Sequence, residues 1–199
     1  MKKSTPNNPF AGTVLEAKLD DLPFTYPELA MRTNKPGAEM EMPKKLWQAL
    51  NTAYPQIMDA CFKADRLKSS LVYGAKLRDF NYSAFPAPQR KLKPSELELL
   101  HAILGIISEG GELLQMYMDR LNSGHPIDRT NAVEEIGDLE WFMQLARKSV
   151  ICTQEETMMI NIKKLAERFP DGFSEEMALV RNEEAERKLL EEETKKLDK

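Results

Sequence analysis

Residues 101–121 read His101-Ala-Ile-Leu-Gly-Ile-Ile-Ser-Glu-Gly-Gly-Glu-Leu-Leu-Gln-Met-Tyr-Met-Asp-Arg-Leu121. Ile103, Ile106, Ile107, Leu114 and Tyr117 recur at three- and four-residue steps, which predicts a helix with one apolar stripe. Glu109 and Glu112, one turn apart, share a neighbouring face with Gly105 and Met116. Two mid-helix glycines, Gly110 and Gly111, each cost about 1 kcal/mol relative to alanine. That cost predicts a close approach, by another helix or by a ligand. Upstream, Ser95-Glu96-Leu97-Glu98 reads as a capping box opening this helix. Downstream, Asn122-Ser123-Gly124-His125-Pro126 reads as a turn.

Working outward, a second helix is expected from about Arg129 to Val150. Ile136, Leu139, Met143, Ala146 and Val150 fall on one arc and predict its apolar stripe. Glu140, Gln144, Arg147 and Lys148 fall elsewhere and predict its solvent side. Glu135 and Asp138 share an arc with Phe142 and Leu145, where carboxylates are costly to bury unless a cation compensates them. Thr153-Gln154-Glu155-Glu156 is a second capping box, opening a helix that stops before Pro170-Asp171-Gly172. Its stripe is Met158, Met159, Ile162, Leu165, Ala166 and Phe169, with Asn161, Lys164 and Arg168 together on one polar flank.

On the other side, Leu46, Leu50, Ala53, Ile57, Ala60, Ala64, Leu67 and Leu71 predict a helix from Lys44 to Tyr73-Gly74, kinked or interrupted at Pro55. Residues 80–94, with Pro86, Pro88 and Pro94, read as a linker. Residues 1–43 hold six of the twelve prolines and read as an irregular arm with a short helical patch at Tyr26–Thr33. The tail, 174–199, is charged and expected to be helical, with Met177, Leu179, Val180, Leu189 and Leu190 as a weak stripe. No stretch alternates as a strand would. The fold class is therefore all-α, an antiparallel helical bundle with short loops. Its parts are an arm (1–43), an additional helix and Pro-rich linker (44–94), a core (95–173) and a tail (174–199).

Composition removes several function classes. The chain has 199 residues, 42% hydrophobic and 30% charged, room for one ordinary domain with extensions. No run approaches the roughly 18 apolar residues of a membrane span. Ser4-Thr5-Pro6 follows Met1-Lys2-Lys3 where a signal peptide would turn apolar, so a cytoplasmic location is expected. Cys61 and Cys152 form no CxxC or Cys/His cluster, which excludes zinc chemistry and suggests a reducing compartment. No cationic cluster tracks a nucleic-acid backbone. The net charge of −4 is a sum of +6 on residues 1–94 and −10 on residues 95–199.

The acidic excess contains the chemistry. The pairs Glu109/Glu112 and Glu135/Asp138, each i, i+3 on successive antiparallel helices, can face each other across a bundle. All-oxygen donors favour Mg²⁺ or Mn²⁺. Acidic i, i+3 pairs also occur on plain solvated faces. A di-iron bundle needs two Glu-x-x-His motifs, and the chain offers one, Glu98-x-x-His101. Lys164 as a point charge and Arg168 as a fork suit a polyphosphate.

Three ordered blocks resemble a known family. They are His101-Ala-Ile-Leu-Gly-Ile-Ile-Ser-Glu-Gly-Gly-Glu-Leu-Leu, Gly124-His-Pro-Ile-Asp-Arg-Thr-Asn-Ala-Val-Glu-Glu-Ile-Gly-Asp-Leu and Asn161-Ile-Lys-Lys-Leu-Ala-Glu-Arg-Phe-Pro-Asp-Gly-Phe. Together they are similar to the MazG-like nucleotide pyrophosphohydrolases of the all-α NTP pyrophosphatase superfamily, in the form found in bacteriophages. The family signature is Glu-Glu-x-x-Glu, a spacer, then Glu-x-x-Asp. Glu109 and Glu112 match the last two acids of its first part, and Glu135 and Asp138 match the second. The resemblance covers about residues 95–175, and Tyr26–Thr33 is similar to the family's N-terminal segment.

The resemblance implies Mg²⁺-dependent cleavage of a nucleoside triphosphate between the α- and β-phosphates, giving the monophosphate and pyrophosphate. Glu109, Glu112, Glu135 and Asp138 would hold the metal, with Mn²⁺ as an alternative ion. Asn161, Lys164 and Arg168 would bind the substrate, and Glu112 or Glu134 would act as base. Homodimers or tetramers are implied, with no nucleic-acid polymer as partner. Two departures stand out: Ser108 replaces the leading Glu of the first motif, and His125 stands where relatives often carry Lys. Ser108 keeps open an alternative, a catalytically inactive helical scaffold or nucleotide-binding protein.

Overall fold

The computed structural model describes residues 25–31, 33–35, 41–77, 80, 91–170, 172–180 and 182–197. Among them the regular structure is all helical: α1 (Tyr26–Met31), α2 (Lys44–Tyr73), α3 (Pro94–Ser123), α4 (Arg129–Ser149), α5 (Gln154–Arg168), α6 (Glu175–Leu179) and α7 (Glu183–Thr194). The chain divides into two compact units, Met40–Ile151 and Met1–Glu39 with Cys152–Lys199. The first holds α2, α3 and α4, and the second holds α1, α5, α6 and α7. Most of the expected arm, and residues 81–90 of the expected linker, lie outside the described residues. Among the described residues no helix is long and apolar enough to cross a membrane.

Local chemistry sets the helix ends. Pro55 cannot donate to the carbonyl of Asn51, yet α2 runs through it uninterrupted, with the proline on the exposed side. Gly74, at φ 69°, closes α2 in the left-handed conformation that glycine adopts without strain. The start of α3 differs from the expected Ser95 cap. Pro94 takes the first helical position, and the backbone N–H of Lys93 donates to Glu96 Oε2 at 2.7 Å. A proline at that position loses no hydrogen bond, so it displaces the cap by two residues. Asp128 accepts from the N–H groups of Thr130 and Asn131 to open α4. The Thr153/Glu156 capping box opens α5 as expected, each side chain accepting from the other's backbone N–H.

In the first unit, α2 lies antiparallel to α3, with Cys61 against Gly111 and Lys68 against Ser108. α4 lies antiparallel to α3 on another side, with Phe142 against Gly105 and Lys148 bonded to Glu98 at 2.8 Å. A Cβ on Gly105 would sit 2.3 Å from the Phe142 ring, and one on Gly111 would sit 2.5 Å from Cys61 Cβ. The close approach expected at Gly110-Gly111 thus belongs to Gly111. Gly110 faces open space.

These contacts rotate the helices away from the expected stripes. α3 buries Ala102, Gly105, Ser108, Glu109, Gly111 and Met118, while Ile103, Ile107 and Tyr117 are exposed. α4 buries Glu135, Phe142 and Arg147, while Ile136, Met143 and Val150 are exposed. Arg147 was expected in solvent; it is buried and lies 3.8 Å from Glu140. The cause is steric: the gap at Gly105 admits the Phe142 ring, and that ring fixes which face of α4 turns inward.

In the second unit, Leu29 of α1 packs with Ile162 and Ala166 of α5. The tail is two short helices, and of its expected stripe Leu189 and Leu190 are half-buried. Met177, Leu179 and Val180 are exposed. Ion pairs join α5 to α7: Arg168 binds both carboxylate oxygens of buried Glu186 at 2.7 and 2.6 Å, and Lys163 meets Glu193 at 2.7 Å.

The two adjacent glycines therefore respond oppositely to alanine. Gly111→Ala should lower stability by about 1–3 kcal/mol as α2 is forced off α3. Gly110→Ala should raise it by up to about 1 kcal/mol. Urea denaturation midpoints of the two variants check this.

Candidate metal centre

Because α3 and α4 turn their acidic faces toward each other, the two carboxylate pairs meet. One carboxylate oxygen each from Glu109, Glu135 and Asp138 lies within 4.8 Å of the others. Glu109 and Glu135 are buried and Asp138 is exposed, so the cluster is open on one side. Glu112 joins through a side-chain hydrogen bond with Glu135. Burial first, then the charges of Glu112 and Glu109, push the Glu135 carboxyl up to about 7. Burial and the Glu109 charge also raise Glu112. Glu134 is exposed and reaches Glu135 only through its charge.

The side of the cluster nearer α2 carries a cation that the sequence reading did not single out. Lys68 donates to Glu109 Oε1 at 2.8 Å and to Ser108 Oγ at 3.0 Å, and lies 3.2 Å from Asp65. Burial pulls its ammonium down, but the bonds and charges of Glu109 and Asp65 outweigh that and hold it above the usual lysine range. Its nitrogen also stands 5.0 Å from the centre of the Phe142 ring. A signal was present: Lys68 follows buried Ala64 by one turn, on the face that α2 turns to α3. Beyond Phe142, His101 and Trp141 complete an aromatic cluster, with ring centres 4.9 to 5.7 Å apart.

The other expected site residues lie on α5, in the second unit. Asn161 Oδ1 accepts from Tyr26 Oη at 3.5 Å. Arg168 is taken up by Glu186. Lys164 has no hydrogen-bond or ion-pair partner among the described residues.

The donor set fits a hard divalent cation. Three carboxylate oxygens converge, two of them from buried residues, and one lysine sets its charge against four carboxylates. Compared with known proteins, the chain matches no family model, no curated protein and no solved structure.

Without metal, the cluster should cost stability in a defined pH window. Glu135 has a folded-state pKa above its unfolded value, so the folded chain holds the extra proton between about pH 4.5 and about 7. Stability then falls as pH rises through that window, and the full penalty persists above it. In EDTA, Glu135→Gln should match the wild type near pH 4.5 and exceed it above pH 7, by on the order of 3 kcal/mol. Thermal denaturation across that range tests it; equal curves at all pH values would refute the buried-acid account.

Proposed function

We propose that the protein is a Mg²⁺-dependent nucleoside triphosphate pyrophosphohydrolase, cleaving an NTP or dNTP between its α- and β-phosphates. The observation that carries this reading is the convergence of Glu109, Glu135 and Asp138 within 4.8 Å across the α3–α4 seam. The resemblance of residues 95–175 to MazG-like enzymes supports it, since these are three of the four acids that match that signature. Glu109, Glu135 and Asp138 would hold the ion, with Glu112 at its edge. A divalent ion supplies neutralisation of phosphate oxygens and lowers the pKa of a water.

The chain's own groups do the rest. Glu112 is the better placed base, because it is bonded to Glu135 and raised above the ordinary carboxylate range, whereas Glu134 points into solvent. Of the α5 side chains that the resemblance assigns to substrate, the Arg168 guanidinium is committed to Glu186. Self-association belongs to the same reading. Ile103, Ile107, Ile136 and Val150 leave apolar surface that a second copy of the chain would cover.

A binding protein without turnover is the second reading, favoured by one observation: Lys68 and Ser108 already saturate one oxygen of Glu109. A panel of ribo- and deoxynucleoside triphosphates with Mg²⁺ separates the two. Pyrophosphate release is expected, and binding without release would favour the second reading.

Glu135→Gln should lower pyrophosphate release at least 100-fold, about 2.7 kcal/mol of transition-state stabilisation, with the helical circular dichroism intact. Unchanged turnover would sink the metal reading. Light scattering should report a dimer or larger species, and Ile103→Glu with Ile136→Glu should shift it to monomer.

A further inference from the structure

We propose that Lys68 is a permanent second cation of the acidic seam, so that Glu109, Glu112, Glu135 and Asp138 hold one divalent ion and not two. This rests on the metal reading above. An ammonium has three protons to donate. Those of Lys68 have three partners on the protein: Glu109 Oε1 at 2.8 Å, Ser108 Oγ at 3.0 Å and Asp65 Oδ1 at 3.2 Å. None is left for a phosphate oxygen, so Lys68 is a positioning residue and not a substrate ligand.

Its placement is fixed from every side. The side chain is only 14% exposed, and the Phe142 ring stands 5.0 Å from its nitrogen. Ser108 Oγ also lies 2.9 Å from the carbonyl of Gly105, which holds the serine against its own helix. Glu109 therefore has one oxygen, Oε1, engaged by the ammonium and the serine, and its other oxygen accepts from no described residue.

Charge then decides the count. Four carboxylates could balance two divalent ions. Asp65 also faces Lys68, but at 52% exposed it is screened by water, whereas the Lys68–Glu109 pair is not. With Lys68 bonded to Glu109, a second ion would stand across a single carboxylate from a fixed positive charge, in a partly buried place where repulsion is poorly screened. Ser108 adds to this, since it bonds the ammonium where a carboxylate would have attracted metal. Lys68 thus does the neutralising that a second ion would otherwise do, and it keeps Glu109 turned toward the triad.

The test counts ions on the full chain. Mn²⁺ is titrated into metal-stripped protein, and the free ion is followed by electron paramagnetic resonance. One Mn²⁺ per chain is expected for the wild type and for Lys68→Arg. Lys68→Met should bind two, or bind one at least tenfold more tightly. Two ions on the wild type would overturn the inference, as would one ion of unchanged affinity on Lys68→Met. Should the methionine variant fail to fold by circular dichroism, Lys68→Gln takes its place under the same criteria. No Mn²⁺ on the wild type would overturn the metal reading, and this inference with it.

Discussion

The α2–α3–α4 unit depends on how closely backbones approach at two glycines of α3. A side chain on Gly105 would strike the Phe142 ring, and one on Gly111 would strike Cys61. Their absence lets α4 settle on one side of α3 and α2 on another, and each contact fixes a rotation as well as a distance. With Phe142 seated at Gly105, Glu135 and Asp138 turn toward Glu109. With Cys61 seated at Gly111, the same face of α2 brings Lys68, two turns further on, to Ser108 and Glu109. The cluster is thus a consequence of packing.

That logic explains which parts of the structure were legible from sequence. Helix existence and most ends were, because they rest on local chemistry: Gly74 and Gly124 close helices, Asp128 and Thr153 open them. The acidic pairs were legible too, because i, i+3 spacing puts both members on one face whatever that face meets. Helix rotation was not. Periodicity places the aliphatic stripe of α4 inward, but Ile136 and Val150 are out and Glu135 is in. A hydrophobic count cannot weigh one ring fitting one gap between helices. The places of Lys68 beside Glu109 and of Arg168 beside Glu186 were not legible for a related reason, since these partners are distant in sequence.

The charge asymmetry of the chain gains a partial account. Residues 1–94 carry +6 and residues 95–199 carry −10, and α2 belongs to the basic part. Through Lys68, α2 delivers one positive charge to the acidic seam of α3 and α4. Within the other unit, Lys163 and Arg168 of α5 meet Glu193 and Glu186 of α7. Two of the tail's nine acids, Glu186 and Glu193, are therefore paired with α5. The four seam acids differ: one lysine is set against them, and the excess remains.

An excess of that kind has a physical meaning independent of any resemblance. A carboxyl lifted to about 7, first by burial and then by neighbouring charges, weakens the metal-free fold at neutral pH. Residues that only stabilise a helix pair would be replaced by apolar ones of similar size at no loss, often with a gain. Ile103, Ile107 and Ile136, exposed on the same two helices, show that apolar residues are not scarce here. Keeping Glu109 and Glu135 at the seam while isoleucines face outward is a poor arrangement for an isolated pair of helices. It becomes a reasonable one if a cation enters the seam and another copy of the chain covers the outside. The two oddities of the fold, acids within and aliphatics without, then have complementary causes.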